Sequence, residues 1–246
     1  MLEIRHLSKS YGDTQAIADL DFTVAERELV SVVGPSGCGK TTLLKCVAGL
    51  LEPTSGEVVL EGDRVMALVF QEYSRSLMPW LSVRKNVALP LRHKDKGERA
   101  RLVDEAVDAV GLTDHLDRYP WQLSGGMQQR VAIARALAYQ PQILLMDEPF
   151  ASVDAQTRAD LEDLILEVRE RYHVTVVFVT HDIDESVYLS DRIVVLSPSP
   201  TTVKEILDVH LPRPRDQVET KELPDFAHLR AHVYRLIKRE EARVAQ

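Results

Sequence analysis

Residues Leu29 to Thr42 read L-V-S-V-V-G-P-S-G-C-G-K-T-T, and the two ends of this stretch call for different backbone states. Leu29 to Val33 is short, apolar and β-branched and runs into a glycine, which predicts a strand buried on both faces. Lys40 to Leu50 has the length and apolar spacing of a helix, closed by Gly49. Between them, Gly34 to Thr41 matches the pattern G-x-x-x-x-G-K-[ST] in the strand–loop–helix setting that the pattern requires. Glycines let such a loop curl so that several N–H groups point inward, and the helix start adds partial positive charge, an arrangement suited to phosphate. Lys40 is expected to reach the β and γ phosphates of a bound nucleotide, and Thr41 to offer a hydroxyl to Mg2+, which prefers hard oxygen ligands. The expected nucleotide contacts are Gly34, Pro35, Ser36, Gly37, Cys38, Gly39, Lys40, Thr41 and Thr42, with Cys38 a small packed residue.

Working outward, Ile143 to Met146 and Val174 to Thr180 are likewise compact and apolar, as expected of strands in a parallel sheet. The core therefore reads as α/β. From Pro79 to Tyr139 the pattern turns helical, with Leu102, Val103, Ala106, Val107 and Val110 at amphipathic spacing. After Ser197 the proline-rich segment P-S-P-T-T-V-K-E-I-L-D-V-H-L-P-R-P-R is expected to leave the sheet as strand and turn. A last helix places Phe226, Leu229, Val233, Leu236 and Ile237 on one stripe, the mark of a helix packed on one side.

Composition fits one soluble globular unit: 246 residues, 45% hydrophobic, with no repeat. Acidic residues outnumber basic ones, 38 to 30, and the net charge of −8 argues against nucleic acid as a general partner. No apolar run approaches the roughly 20 residues of a membrane-spanning helix. The start, MLEIRHLSKSYGD, lacks the apolar stretch of an export leader, so export is not expected. Cys38 and Cys46 read as reduced thiols, since neither a Cys-x-x-Cys pair nor a cluster with histidine accompanies them.

Two acids end the strand I-L-L-M-D-E, where ligands of open α/β sheets collect. Neighbouring strand residues face opposite ways, so the carboxylates need different work. Asp147 suits magnesium and its waters, and Glu148 suits a general base for the attacking water, or else a cap for the turn at Pro149. These motifs alone fit many phosphate-transferring enzymes. The run Leu123 to Met127, L-S-G-G-M, leading into Q-Q-R-V-A-I-A-R-A-L-A, adds a serine–glycine helix start able to meet a phosphate.

With that run the chain resembles the ATPases of ABC transporters, and the resemblance covers nearly its whole length. It implies a P-loop NTPase core with a parallel sheet, an N-terminal antiparallel β part and an inserted helical subdomain. The layout would be a single domain over 1–246: core about 1–78 and 140–198, helical subdomain about 79–139, C-terminal extension about 199–246. It implies that Ser124, Gly125 and Gly126 contact the γ-phosphate of nucleotide held by a second subunit. Tyr11, in S-Y-G-D, resembles the aromatic that stacks on adenine, although a core tyrosine fits the pattern too. Gln71, in V-F-Q-E, resembles the glutamine linking magnesium and water to the permease contact. Asp154, in A-S-V-D, resembles the acid that communicates between paired sites, and His181 the switch histidine at the γ-phosphate. Met127 departs from the commonest signature residue, glutamine. Gly56 to Gln71 is shorter than in typical relatives, which should trim a hairpin.

The segment Val69 to Leu91 and the later H-L-P-R-P-R look like the nitrate, sulfonate and taurine importer branch. On that resemblance the implied partners are a homodimer mate or a similar ATPase, transmembrane permease subunits and, indirectly, an extracytoplasmic solute-binding protein, and the chain itself would sit peripherally on the cytoplasmic side of the inner membrane. Met78, Pro79, Trp80 and Leu81 form an apolar knot where a permease helix would dock or, alternatively, a knot buried in the helical part. A soluble ABC ATPase of DNA repair or translation would carry a coiled-coil insertion or two fused units, and neither is present. Many exporter ATPases carry membrane helices on the same chain.

Overall fold

The computed structural model describes residues 1–62, 64–72 and 76–244, with side chains through residue 238. In chain order the elements are β1 (Leu2–Tyr11), β2 (Thr14–Val24), β3 (Leu29–Val33), α1 (Lys40–Val47), β4 (Ser55–Leu60), β5 (Met66–Val69), α2 (Val83–Val87), α3 (Lys96–Ala109), α4 (Gly125–Ala138), β6 (Ile143–Asp147), α5 (Ala155–Tyr172), β7 (Thr175–Val179), α6 (Ile183–Leu189), β8 (Arg192–Leu196), β9 (Thr201–Asp208), α7 (Glu219–Glu222) and α8 (Pro224–Val244). They divide into two compact units, Met1–Arg64 with Thr175–Gln246, and Val65–Val174.

In the first unit the strands follow the order β4-β1-β2-β9-β8-β3-β7. The N-terminal part is antiparallel, β1 pairing with β2 on one side and β4 on the other. The part that carries the phosphate-loop motif is parallel, β3 lying between β7 and β8. Every residue of β3 and β7 is buried, as their unbroken apolar runs require of strands covered on both faces. Ser31 is the polar exception in β3, and its hydroxyl accepts from Ser190 Oγ.

The expectation that the chain leaves the sheet after Ser197 is corrected. β9 stays within it, antiparallel to β8 and parallel to β2. Pro198 and Pro200 precede the strand, where no ladder N–H is needed, so they turn the chain without excluding it. The last helix behaves as its pattern requires: Phe226, Val233 and Leu236 are buried, and α8 packs on α6 and β8.

In the second unit β5 and β6 pair in parallel, and α3 packs on α4 through buried Leu102, Val103, Ala106 and Val107. The stretch from Gly56 to Gln71 does not make a hairpin of its own among the described residues: Ser55–Leu60 joins β1, and Met66–Val69 joins β6. The apolar knot is not buried: Met78 and Leu81 are half-buried, and Pro79 and Trp80 are exposed. Asn86, fully buried, donates to Met78 O at 3.1 Å and Leu81 O at 2.9 Å and accepts from Met78 N at 2.8 Å, folding the segment around one amide. Trp80 is thereby turned outward and is 71% exposed.

Candidate active site

The phosphate-loop residues lie in the first unit. Gly34 leaves β3 under a tight roof: a Cβ there would fall 2.9 Å from Cys38 Sγ and 3.0 Å from Leu196 Cβ, so no side chain fits. Gly37 and Gly39 take φ of +76° and +102°, the left-handed region that curls the loop. Gly39 is the N-cap of α1 and supplies no side-chain hydrogen bond, so the first amides of that helix meet no side-chain cap. Lys40 is 6% exposed, and its Nζ donates to Gly34 O at 2.8 Å and Pro35 O at 3.0 Å. A buried ammonium coordinated by carbonyls of its own loop sits where a polyphosphate could exchange for them. Thr41 is exposed at the helix start, and Thr42 is half-buried.

Thr201, at the first position of β9, was not predicted. It is fully buried, and its Oγ1 donates to Cys38 O, bracing the loop from behind. No local signal could reveal it, because the contact joins residues 163 apart in the chain. Cys38 and Cys46 are buried and form no disulfide; burial pushes the Cys46 thiol up, and the Lys9 charge partly opposes this.

Tyr11 ends β1 and is 51% exposed, which removes the core alternative; the Lys9 ammonium lies 5.5 Å from its ring centroid. His181 is exposed, with Thr180 between it and the end of β7. Its neighbours fix its backbone. Thr180 Oγ1 donates to Glu185 Oε2 at 2.6 Å and accepts from Asp182 N at 3.0 Å, while Asp182 caps α6 by accepting from Asp184 N and Glu185 N.

The second unit holds Gln71, Ser124, Gly125, Gly126, Asp147, Glu148 and Asp154. Asp147 ends β6 at 7% exposure. Glu148 does not continue the strand alternation expected of it. Its φ is +42°, a left-handed state uncommon for a residue with a Cβ, so the carboxylate is aimed by a turn rather than by the pleat. Gln71 Nε2 donates to Glu148 Oε2 at 3.3 Å, bringing two predicted residues together across 77 positions of sequence. Ser124 caps α4 by accepting from Met127 N at 3.3 Å, with Ser124 and Gly125 exposed and Gly126 buried. Asp154 caps α5: its Oδ1 accepts from Thr157 N at 3.0 Å and its Oδ2 from Thr157 Oγ1 at 2.7 Å.

A family model described as "ABC transporter" matches residues 17–151. The uncharacterized ABC transporter ATP-binding protein MJ0412 of Methanocaldococcus jannaschii is 45% identical, covering 97% of this chain and 92% of its own length. The aliphatic sulfonates import ATP-binding protein SsuB of Bacillus thuringiensis subsp. konkukian is 42% identical, with coverage of 91% and 93%. The bicarbonate transport ATP-binding protein CmpC of a Synechocystis species is 44% identical over 94% of this chain, which spans only 36% of CmpC. Among solved structures, the dimeric ATP-binding cassette MJ0796 in a post-hydrolysis state with ADP and Pi shares 33% identity at a TM-score of 0.74, covering 85% of this chain and 99% of that one.

Proposed function

The chain belongs to the ABC transporter family, and from that premise we propose that it energises import of a small solute of the nitrate, sulfonate or taurine kind, as one half of an ATPase dimer beneath separate permease subunits. It is an ATPase, and ATP is its substrate. The importer reading takes its support from the relatives' names, SsuB for sulfonate import and CmpC for bicarbonate transport. The dimer reading takes it from the two-chain arrangement of MJ0796.

The observation that carries the reading is the loop around Lys40: an uncapped helix start, two left-handed glycines and a buried ammonium held by carbonyls. Together they present amide donors and one cation to a triphosphate. Thr41 and Asp147 would each offer Mg2+ a hard oxygen, and the ion would neutralise phosphate charge. Glu148 takes the proton of the attacking water, and the Gln71 amide orients its carboxylate. Ser124 and Gly126 of one copy meet the γ-phosphate held by the other. That attraction lasts only while the phosphoryl group is present, so hydrolysis loosens the pair and returns the permease to its other state. The protein would work as a peripheral subunit on the cytoplasmic side of the inner membrane; among the described residues no helix is long and apolar enough to cross it.

A groove of about 410 Å3 in the second unit supports a permease contact. Leu81, Ala88 and Val103 line it, and Lys85, Arg92, Lys96 and Arg99, which form no ion pair among the described residues, ring it. On a chain of net charge −8, such a collar favours an amphipathic segment that carries acids. Co-expression with a candidate permease, followed by purification and uptake assays in proteoliposomes, tests the reading. Co-purification and ATP-dependent uptake of nitrate, a sulfonate or taurine are expected. Recovery with ribosomes or DNA in place of a permease would overturn it.

A further inference from the structure

Gly126 is the second residue of α4 and is buried because Thr157 lies on it: a Cβ at Gly126 would fall 2.3 Å from Thr157 Cγ2. Thr157 cannot turn away freely. Its N–H and its hydroxyl are both held by the Asp154 carboxylate, at 3.0 and 2.7 Å, so the single side-chain torsion of a β-branched residue is set from one branch. The other branch, the methyl, is thereby delivered to the glycine. One side chain thus joins the segment Ser124–Gly126, exposed at Ser124 and Gly125, to exposed Asp154.

We propose that Thr157 is a positioning residue that locks the Ser124–Gly126 helix start and Asp154 into one rigid element, so that both reach the nucleotide held by a second copy in register. This rests on the dimer reading above. The hydroxyl is the anchor and the methyl the spacer, and losing the anchor should cost more. Binding of ATP by a lone copy, which uses the loop around Lys40, should not depend on Thr157.

The test uses the full chain with Glu148→Gln, which slows hydrolysis and retains ATP. Dimerisation is measured by sedimentation with Mg2+ and ATP, and monomer binding by titration with a fluorescent ATP analogue. Adding Thr157→Val, which keeps the shape and removes the hydroxyl, should weaken dimerisation by about tenfold, the worth of one charge-assisted hydrogen bond, with nucleotide affinity changed less than about twofold. Thr157→Ser keeps the hydroxyl and should stay within about threefold of the parent. Equal dimerisation by the valine variant and the parent would overturn the inference, as would parallel loss of monomer binding. A parent that stays monomeric with ATP would overturn the dimer reading and this inference with it.

Discussion

Gln71 Nε2 lies 3.3 Å from Glu148 Oε2 and donates to it, joining the loop after β5 to the turn after β6. Glu148 holds this pose from a left-handed backbone, which costs a residue with a Cβ on the order of 1 kcal/mol and is typical of strain kept at functional sites. One carboxylate oxygen is occupied by the amide, and the carboxylate keeps acceptor capacity for a water. Replacing Glu148 by Gln keeps the size and removes the base. Turnover should fall by about 10²- to 10⁴-fold while ATP affinity is unchanged, as read by single-turnover kinetics and calorimetry. Turnover within tenfold of the parent would remove Glu148 from the base role.

Lys40 is tied to Gly34 and Pro35 carbonyls by two hydrogen bonds. Lys40→Ala removes a cation from the phosphate site and leaves both carbonyls without that donor. ATP affinity by calorimetry should fall by about 100-fold, and unfolding free energy by about 1 kcal/mol. Lys40→Arg should fail to rescue binding, because a planar guanidinium does not fit the space of a compact ammonium.

Trp80 is exposed while its own loop is fixed by Asn86. Trp80→Ala should therefore change unfolding free energy by less than about 0.5 kcal/mol, as surface substitutions do, yet reduce recovery of the permease on co-purification. A large drop in stability with permease recovery unchanged would place the ring in the core instead.

What could be read from the sequence was local. The strand–loop–helix around Lys40, the helix start at Ser124 and the stripe of Phe226, Val233 and Leu236 all depend on neighbours within one or two turns, and each formed as its pattern requires. What could not be read was non-local. Thr201 braces Cys38 from the far end of the chain, Thr157 meets Gly126 across two helices, and β9 stays in the sheet because partners, not its own prolines, decide pairing. Glu148 sits between the two cases. The sequence offered it as a base, but strand alternation gave the wrong account of how it is aimed.

The contact of Gly126 with Thr157 makes a prediction about stability that is separate from dimerisation. Gly126→Ala drives a methyl to 2.3 Å from Thr157 Cγ2, while the next atoms, Cβ and Oγ1, lie at 3.7 and 3.8 Å. The alanine should cost about 1–3 kcal/mol by overpacking. Thr157→Ser removes the offending atom alone, so in the alanine background it should recover at least about 0.5 kcal/mol, a coupling that urea unfolding can resolve. Additive effects of the two substitutions would mean that the helices part at no cost.

Carboxylates that accept backbone hydrogen bonds contribute to the acid sensitivity. Backbone amides of Glu98 and Gly97 hold the Asp95 carboxyl below its ordinary range, and those of Glu219 and Val218 do the same for Asp216. A carboxyl whose folded pKa is depressed leaves the folded state with fewer bound protons than the unfolded chain. Its stabilisation is therefore present above the unfolded value of about 3.9 and is lost as the pH falls through the folded one. Both groups are exposed, so the effect is modest. Asp95→Asn with Asp216→Asn keeps a side-chain acceptor at both positions and removes both titrations. Near neutral pH the double variant should lie close to the parent, while between about pH 5 and 3 its urea midpoint should fall less steeply than the parent's. Parallel curves across that range would show that the charges of these caps do not contribute to the acid limb.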